Sequence, residues 1–166
     1  MKPATAKSIL HRYMDSLHET HLRTRTPELS YRAALENLLN TVGELIDPAV
    51  HATAELADTG SGHPDFGLFE VRSGNARGVV EVKSLEEDVA DTAGGEQVAR
   101  YCRQYGLVLV TNYRDFLLVG PAEGGGVSPR GRCTLAADPE AFWRLTPSAL
   151  AKLMADELVD FLIGVM

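Results

Sequence analysis

The chain has 166 residues, 45% of them apolar and 23% charged, which suits one globular domain with a buried core. No apolar run approaches the roughly 20 residues that a bilayer-spanning helix needs, and residues 1–19 lack the continuous apolar stretch of a secretory signal, so a cytoplasmic location is expected. A net charge of −7 is the wrong sign for a free-standing nucleic-acid binder.

That charge is unevenly spread. Up to Arg32, the cations Lys2, Lys7, Arg12, Arg23, Arg25 and Arg32 outnumber Asp15, Glu19 and Glu28. This basic arm reads either as a set of phosphate contacts or as the solvated face of a helix. Cys102 and Cys133 are the only cysteines and stand apart, so free thiols are expected and no zinc site is suggested.

In chain order, Thr5 to about His21 reads as a helix with Ile9, Leu10, Tyr13, Leu17 and Leu22 on a loose apolar stripe. A second helix has a clearer start, with Thr26 as N-cap, Pro27 in the first turn and Glu28 where the helix dipole favours an acid. Its apolar residues Tyr31, Leu35, Leu38, Leu39, Val42, Leu45 and Ile46 keep a helical period, and Asp47-Pro48 is expected to end it. Strands follow at 50–56, 65–71 and 79–83, the last two joined by a turn-forming stretch at 73–78. A helix over 86–105 is interrupted by Gly94-Gly95, which can delay its start to Glu96. Residues 107–111 form a continuous apolar run typical of a buried strand, and 116–119 form another. Gly120 to Arg132 is rich in Gly and Pro and reads as a loop or linker, followed by helices at 139–145 and 147–163. The apolar ending Phe161–Met166 suggests that the polypeptide continues beyond it. The expected architecture is α/β, with a central mixed sheet flanked by helices and further helices at both ends.

The chemistry concentrates in one window. Glu81 and Lys83 are two apart on a strand, so their side chains share a face, while Val80 and Val82 face the other way into a core. A hairpin would bring Asp65, after Pro64, alongside them. Two carboxylates and an ammonium on one surface are what phosphodiester hydrolysis needs: oxygen ligands for a hard cation, and a donor for the charge that gathers on phosphate oxygens. Asp65 and Glu81 are the candidate metal ligands, with the Val82 backbone carbonyl as a third. Lys83 is the candidate to orient or deprotonate water. An ExK tripeptide on its own is most often a solvated strand face; here the flanking Pro-Asp and the apolar neighbours favour a site.

Asp65 with Glu81-Val82-Lys83 resembles the PD-(D/E)xK nuclease superfamily. More closely, Glu28-Leu-Ser-Tyr31-Arg-Ala-Ala-Leu35, Gly62-His-Pro-Asp65-Phe66, Glu81-Val-Lys83, Gln97-Val-Ala-Arg-Tyr101 and Leu109-Val-Thr111-Asn-Tyr113 resemble the N-terminal nuclease domain of fused restriction–modification enzymes of types ISP and IIG. The resemblance runs from about Thr26 to Gly120. It implies a restriction-endonuclease-like core and Mg²⁺-dependent cleavage of double-stranded DNA in phage defence, with Mn²⁺ able to substitute. It also implies that a helicase or coupler, an adenine methyltransferase and a target-recognition domain accompany such a module in a longer polypeptide. On this reading residues 1–120 are the nuclease core with its helical arm, and 121–166 are a linker and a C-terminal helical segment leading to missing domains. Two alternatives stay open: a RecB-like repair or recombination nuclease, and a non-catalytic docking or DNA-clamping domain of the same fold.

Several residues are secondary candidates. With Tyr31 at zero on a helical wheel, Glu28 falls near about 60°, inside the apolar arc, and Glu36 near about 140°, on its flank. Glu28 is therefore the better candidate for a further metal ligand, with dipole compensation as its ordinary role. Gln97 and Tyr101, at i and i+4, share a helix face and are similar to a QxxxY element of some members of the superfamily. His63 precedes Pro64-Asp65 and can lie near a substrate phosphate. Asn112 sits at a strand end where turn chemistry explains it equally well. Arg72, Arg77, Arg100 and Arg103 are candidate phosphate contacts or solvated surface.

Overall fold

The computed structural model describes residues 4–23, 27–54, 56–57 and 60–166, and for 27–29 the backbone alone. The expected N-cap Thr26 lies outside the described residues. Helices α1 (Ala6–Arg23) and α2 (Pro27–Gly43) lead into strands β1 (Val50–Ala54), β2 (Phe66–Glu70) and β3 (Ala76–Val82). Helices α3 (Val89–Ala93) and α4 (Glu96–Tyr105) cross over to β4 (Val108–Thr111). Strands β5 (Asp115–Ala122) and β6 (Gly126–Thr134) and helices α5 (Pro139–Arg144) and α6 (Pro147–Val165) complete the chain.

The six strands form one mixed sheet in sequential order, β1 to β6. Every pairing is antiparallel except β3 with β4. That parallel pairing cannot be closed by a tight turn, and the α3–α4 crossover supplies the length it needs. Gly94-Gly95 splits this crossover into two short helices, with Asp88 capping the first by accepting from the Ala90 amide.

Helices cover both faces of the sheet, and the alternation of β3 shows it. Val80 and Val82 pack into the larger core with α1, α2, α5 and α6, while Val79 packs into a smaller one with Val98, Tyr101 and Cys102 of α4. Buried on both faces, β4 is apolar from Val108 to Val110 and ends at the buried Thr111. On α1 the residues Ile9, Leu10, Tyr13, Met14 and Leu17 are buried as the stripe demands, but Leu22 is exposed. Helix α2 stops at Gly43, before the expected Asp47-Pro48, so Leu45 lies beyond it and is partly exposed. The returning chain passes close by: a Cβ on residue 43 would collide with the Val50 carbonyl, so glycine is required there.

One expectation is corrected. The Gly/Pro-rich stretch 120–132 is the β5–β6 hairpin, paired from Asp115↔Thr134 to Ala122↔Gly126. Gly124 and Gly125 adopt positive φ at its turn, and Pro129 sits beside an irregularity on β6, an edge strand where a missing amide costs no ladder bond. Helix α6 packs chiefly against α1, and Leu150, Leu158 and Leu162 belong to the same core as Leu10 and Leu17.

Trp143 of α5 anchors an aromatic cluster, stacked on His21 with ring centroids 3.9 Å apart and edge-on to His18. Burial, and secondly the nearby His21, push the His18 pKa below its ordinary 6.5, although Asp15 pulls the other way; its Nε2 is buried without a hydrogen-bond partner. A base whose folded pKa is depressed supports the fold above its unfolded pKa and loses that support as pH falls through the folded value. Stability is therefore expected to drop as pH falls below about 6.5, and His18→Phe should remove part of that dependence. Thermal unfolding of both chains between pH 7.5 and 5 checks this, and identical profiles would sink it.

Candidate functional site

The site forms where β2 ends before β3 does. Along β3 the amides of Val79 and Lys83 donate to Leu107 and Thr111 on the β4 side. Backbone groups alternate in direction along a strand, so the Val82 amide faces β2. Strand β2 begins at Phe66, opposite Val80, and offers Val82 no backbone carbonyl. The Asp65 carboxylate takes that place: its Oδ2 accepts from the Val82 amide at 2.7 Å. The same register puts Asp65 next to Glu81.

Glu81 and Lys83 project to one face, as their spacing requires, and Lys83 Nζ lies 3.0 Å from Glu81 Oε1. The other oxygen, Oε2, is buried and has no hydrogen-bond partner. Glu81 is only 4% exposed, and a buried oxygen left without a hydrogen bond is costly. Burial accordingly raises the Glu81 pKa above its ordinary 4.5, against the Lys83 hydrogen bond and helped by the Asp65 charge. Burial also works against the Lys83 ammonium, but its hydrogen bond to Glu81 and the charges of Glu81, Glu87 and Asp65 outweigh it, so its pKa lies above 10.5.

Helix α4 closes the face. Gln97 Nε2 donates to the Tyr101 hydroxyl at 2.9 Å, so the i, i+4 pair acts as one unit. Burial first, and then the Glu81 charge, raise the Tyr101 pKa, which keeps it a neutral phenol beside the carboxylates. The loop before Asp65 leans on this helix. Gly62, at φ +104°, lies so close to the Tyr101 ring that a Cβ there would be 3.3 Å from its hydroxyl. His63 is exposed, hydrogen-bonded through Nδ1 to the Leu56 carbonyl, and lines an open cleft of ≈ 420 Å³ with Arg32, Leu56, Ala57, Pro64 and Asp65.

Of the sequence candidates, Asp65, Glu81, Lys83, Gln97 and Tyr101 therefore converge, and His63 sits at the rim. The Glu28 side chain lies outside the described residues. Helix α2 instead delivers Arg32, whose Nη2 lies 2.6 Å from Asp65 Oδ1, a contact the sequence reading did not anticipate. Asn112 serves the turn: its Oδ1 accepts from the Arg114 and Asp115 amides, and its amide group donates to the Glu87 carbonyl. Arg72, Arg77 and Arg103 pair with Asp47, Glu70 and Glu96.

Among the described residues no three Asp, Glu, His or Cys side chains converge on one point. A cation here would take the two carboxylates and complete its shell from backbone and water, the manner in which Mg²⁺ is commonly bound. The orphaned Glu81 Oε2 is the observation that fits such an ion.

Fold and site together define an α/β protein with a carboxylate–carboxylate–ammonium set at one end of a six-stranded mixed sheet. No family model and no curated protein matches the chain. The fold is similar to part of a solved structure, the cryoEM structure of a DrdV–DNA complex, with a TM-score of 0.62 and 19% identity over 90% of this chain. The matched region is 14% of that chain, so the sequence here spans a small part of its neighbour's length. At that identity the likeness establishes the fold alone.

Proposed function

We propose that the chain is a divalent-metal-dependent endonuclease module of the PD-(D/E)xK type, cleaving double-stranded DNA as part of a longer restriction–modification or phage-defence polypeptide. The observation that carries this reading is the buried, unpartnered Glu81 Oε2, sharing a strand face with Lys83 and lying beside Asp65. The likeness to part of a chain solved with DNA supports it, as does the order of the short motifs.

Asp65 and Glu81 would hold Mg²⁺, or Mn²⁺ in its place. The Val82 carbonyl, pointing to the same side of β3 as the amide that Asp65 binds, is a third donor. When bound, the ion supplies Lewis-acid stabilisation of the phosphate oxygens and a more acidic water. Lys83, within hydrogen-bond reach of Glu81, would orient or deprotonate the attacking water. It donates hydrogen bonds to water or a phosphate oxygen and offsets the negative charge of the five-coordinate state. Tyr101, fixed by Gln97, presents a neutral hydroxyl to the carboxylate pair, and His63 faces the cleft where the DNA backbone would approach. The acidic total charge implies that DNA affinity comes mainly from other parts of the longer protein.

The test is nicking of covalently closed plasmid by the purified chain with Mg²⁺. Nicking is expected to stop with EDTA and in Asp65→Ala, with the unfolding transition retained. Nicking that survives Asp65→Ala would reject the assignment, and cleavage confined to linear DNA would replace the endonuclease with an exonuclease.

A further inference from the structure

We infer that Arg32 and the divalent cation are alternative partners of Asp65: the guanidinium occupies Oδ1 in the metal-free protein and leaves it when the ion enters. This rests on the proposed metal site and gives a role there to a residue to which the motifs assign none.

The argument starts from how Asp65 is held. Its Oδ2 is fixed by a backbone amide, so the carboxylate is oriented without help from Arg32. Its Oδ1 carries the Arg32 guanidinium at 2.6 Å, a charge-assisted contact from a different element. Asp65 is 14% exposed and Arg32 is 40% exposed. The carboxylate is thus embedded while the arginine has solvent beside it. Arginine stays charged at any working pH, so it cannot make room for a cation by losing a proton. A divalent ion on Asp65 would face a fixed positive charge at contact distance, and repulsion scales with the product of charges. Movement is the remaining route. The ≈ 420 Å³ cleft that Arg32 lines with His63 and Pro64 receives the freed side chain. Planar guanidinium donors suit a backbone phosphate, so the cleft is where the displaced group would meet the nucleic acid.

The competing possibility is that Arg32 merely positions Asp65. The sign of one measurement separates them. Loss of an orienting partner weakens metal binding, by about 10–100-fold in known sites, whereas loss of a competitor tightens it. Mn²⁺ is titrated calorimetrically into the full chain as wild type, Arg32→Gln, Arg32→Lys and Asp65→Ala. Tighter binding by Arg32→Gln, by about tenfold or more on the scale of such outer-sphere effects, with Arg32→Lys near wild type, is the expected result. Equal or weaker binding by Arg32→Gln overturns the inference while leaving the metal site standing. Mn²⁺ binding by neither the wild type nor Arg32→Gln, or binding undiminished in Asp65→Ala, removes both. A second measurement needs no substitution. The Arg32 side-chain NMR signal should move on Mg²⁺ addition toward that of a free guanidinium, and a signal unmoved at metal saturation overturns the exchange.

Discussion

Lys83→Met is expected to slow Mg²⁺-dependent nicking by about 10²–10⁴-fold while Mn²⁺ still binds. Methionine retains most of the aliphatic stem and removes only the ammonium. In the metal-free protein that ammonium neutralises Glu81 Oε1 at 3.0 Å, so its loss leaves both oxygens of Glu81 without a cation and makes the pair a stronger attractor of a divalent ion. Binding and rate should therefore part: calorimetric affinity for Mn²⁺ holds or tightens, while the single-turnover nicking rate collapses. A purely structural ion pair predicts the opposite pattern, with lower stability and little effect on rate. Lys83→Arg should recover part of the rate, since the charge returns but the compact point geometry does not. A Lys83→Met rate within tenfold of wild type would remove Lys83 from the reaction.

The sequence carried the parts of the fold that are periodic. Ile9 to Leu17 and Tyr31 to Val42 repeat at helical spacing because each helix buries one stripe against the sheet or another helix. Val108 to Val110 is unbroken because helices lie over both faces of β4. Strand β6 was illegible for the opposite reason. At the sheet edge it pairs on one side and is largely exposed on its faces, so glycine and proline are tolerated and mimic a linker. The close approach of Val50 to Gly43 at the end of α2 is a contact that no local pattern encodes.

The site divides the same way. The two-residue period placed Glu81 with Lys83, and the hairpin brought in Asp65. Arg32 was missed although the same helical wheel carries it: with Tyr31 at zero it falls near about 100°, between Glu28 and Glu36, at the edge of the apolar arc. Its pairing with Asp65 depends on how α2 sits across β2, a tertiary register that neither period specifies. The burial of Glu81, the largest cause of its raised pKa, was equally beyond reach, because it follows from tertiary packing.

Leu158→Ala is expected to cost about 2–5 kcal/mol and lower the melting temperature by roughly 4–20 °C. Leu158 lies on α6 and is fully buried in the core it shares with α1. Total stabilities of such domains run to about 5–15 kcal/mol, so a truncation of this size is a large fraction of the whole. The manner of unfolding matters as much as the shift. If α6 completes the core under the sheet, Trp143 fluorescence and far-ultraviolet dichroism should melt together in wild type and variant alike, because losing α6 uncovers α1 and the sheet face beneath it. If residues 121–166 were a separable segment, Leu158→Ala would instead produce an early fluorescence transition followed by a later, unshifted loss of the strand signal. Coincident transitions that move together would mean that the carboxylate site at the far end of β3 rests on the C-terminal helix. Substitutions on α6 would then lower cleavage only at temperatures where the whole fold is lost.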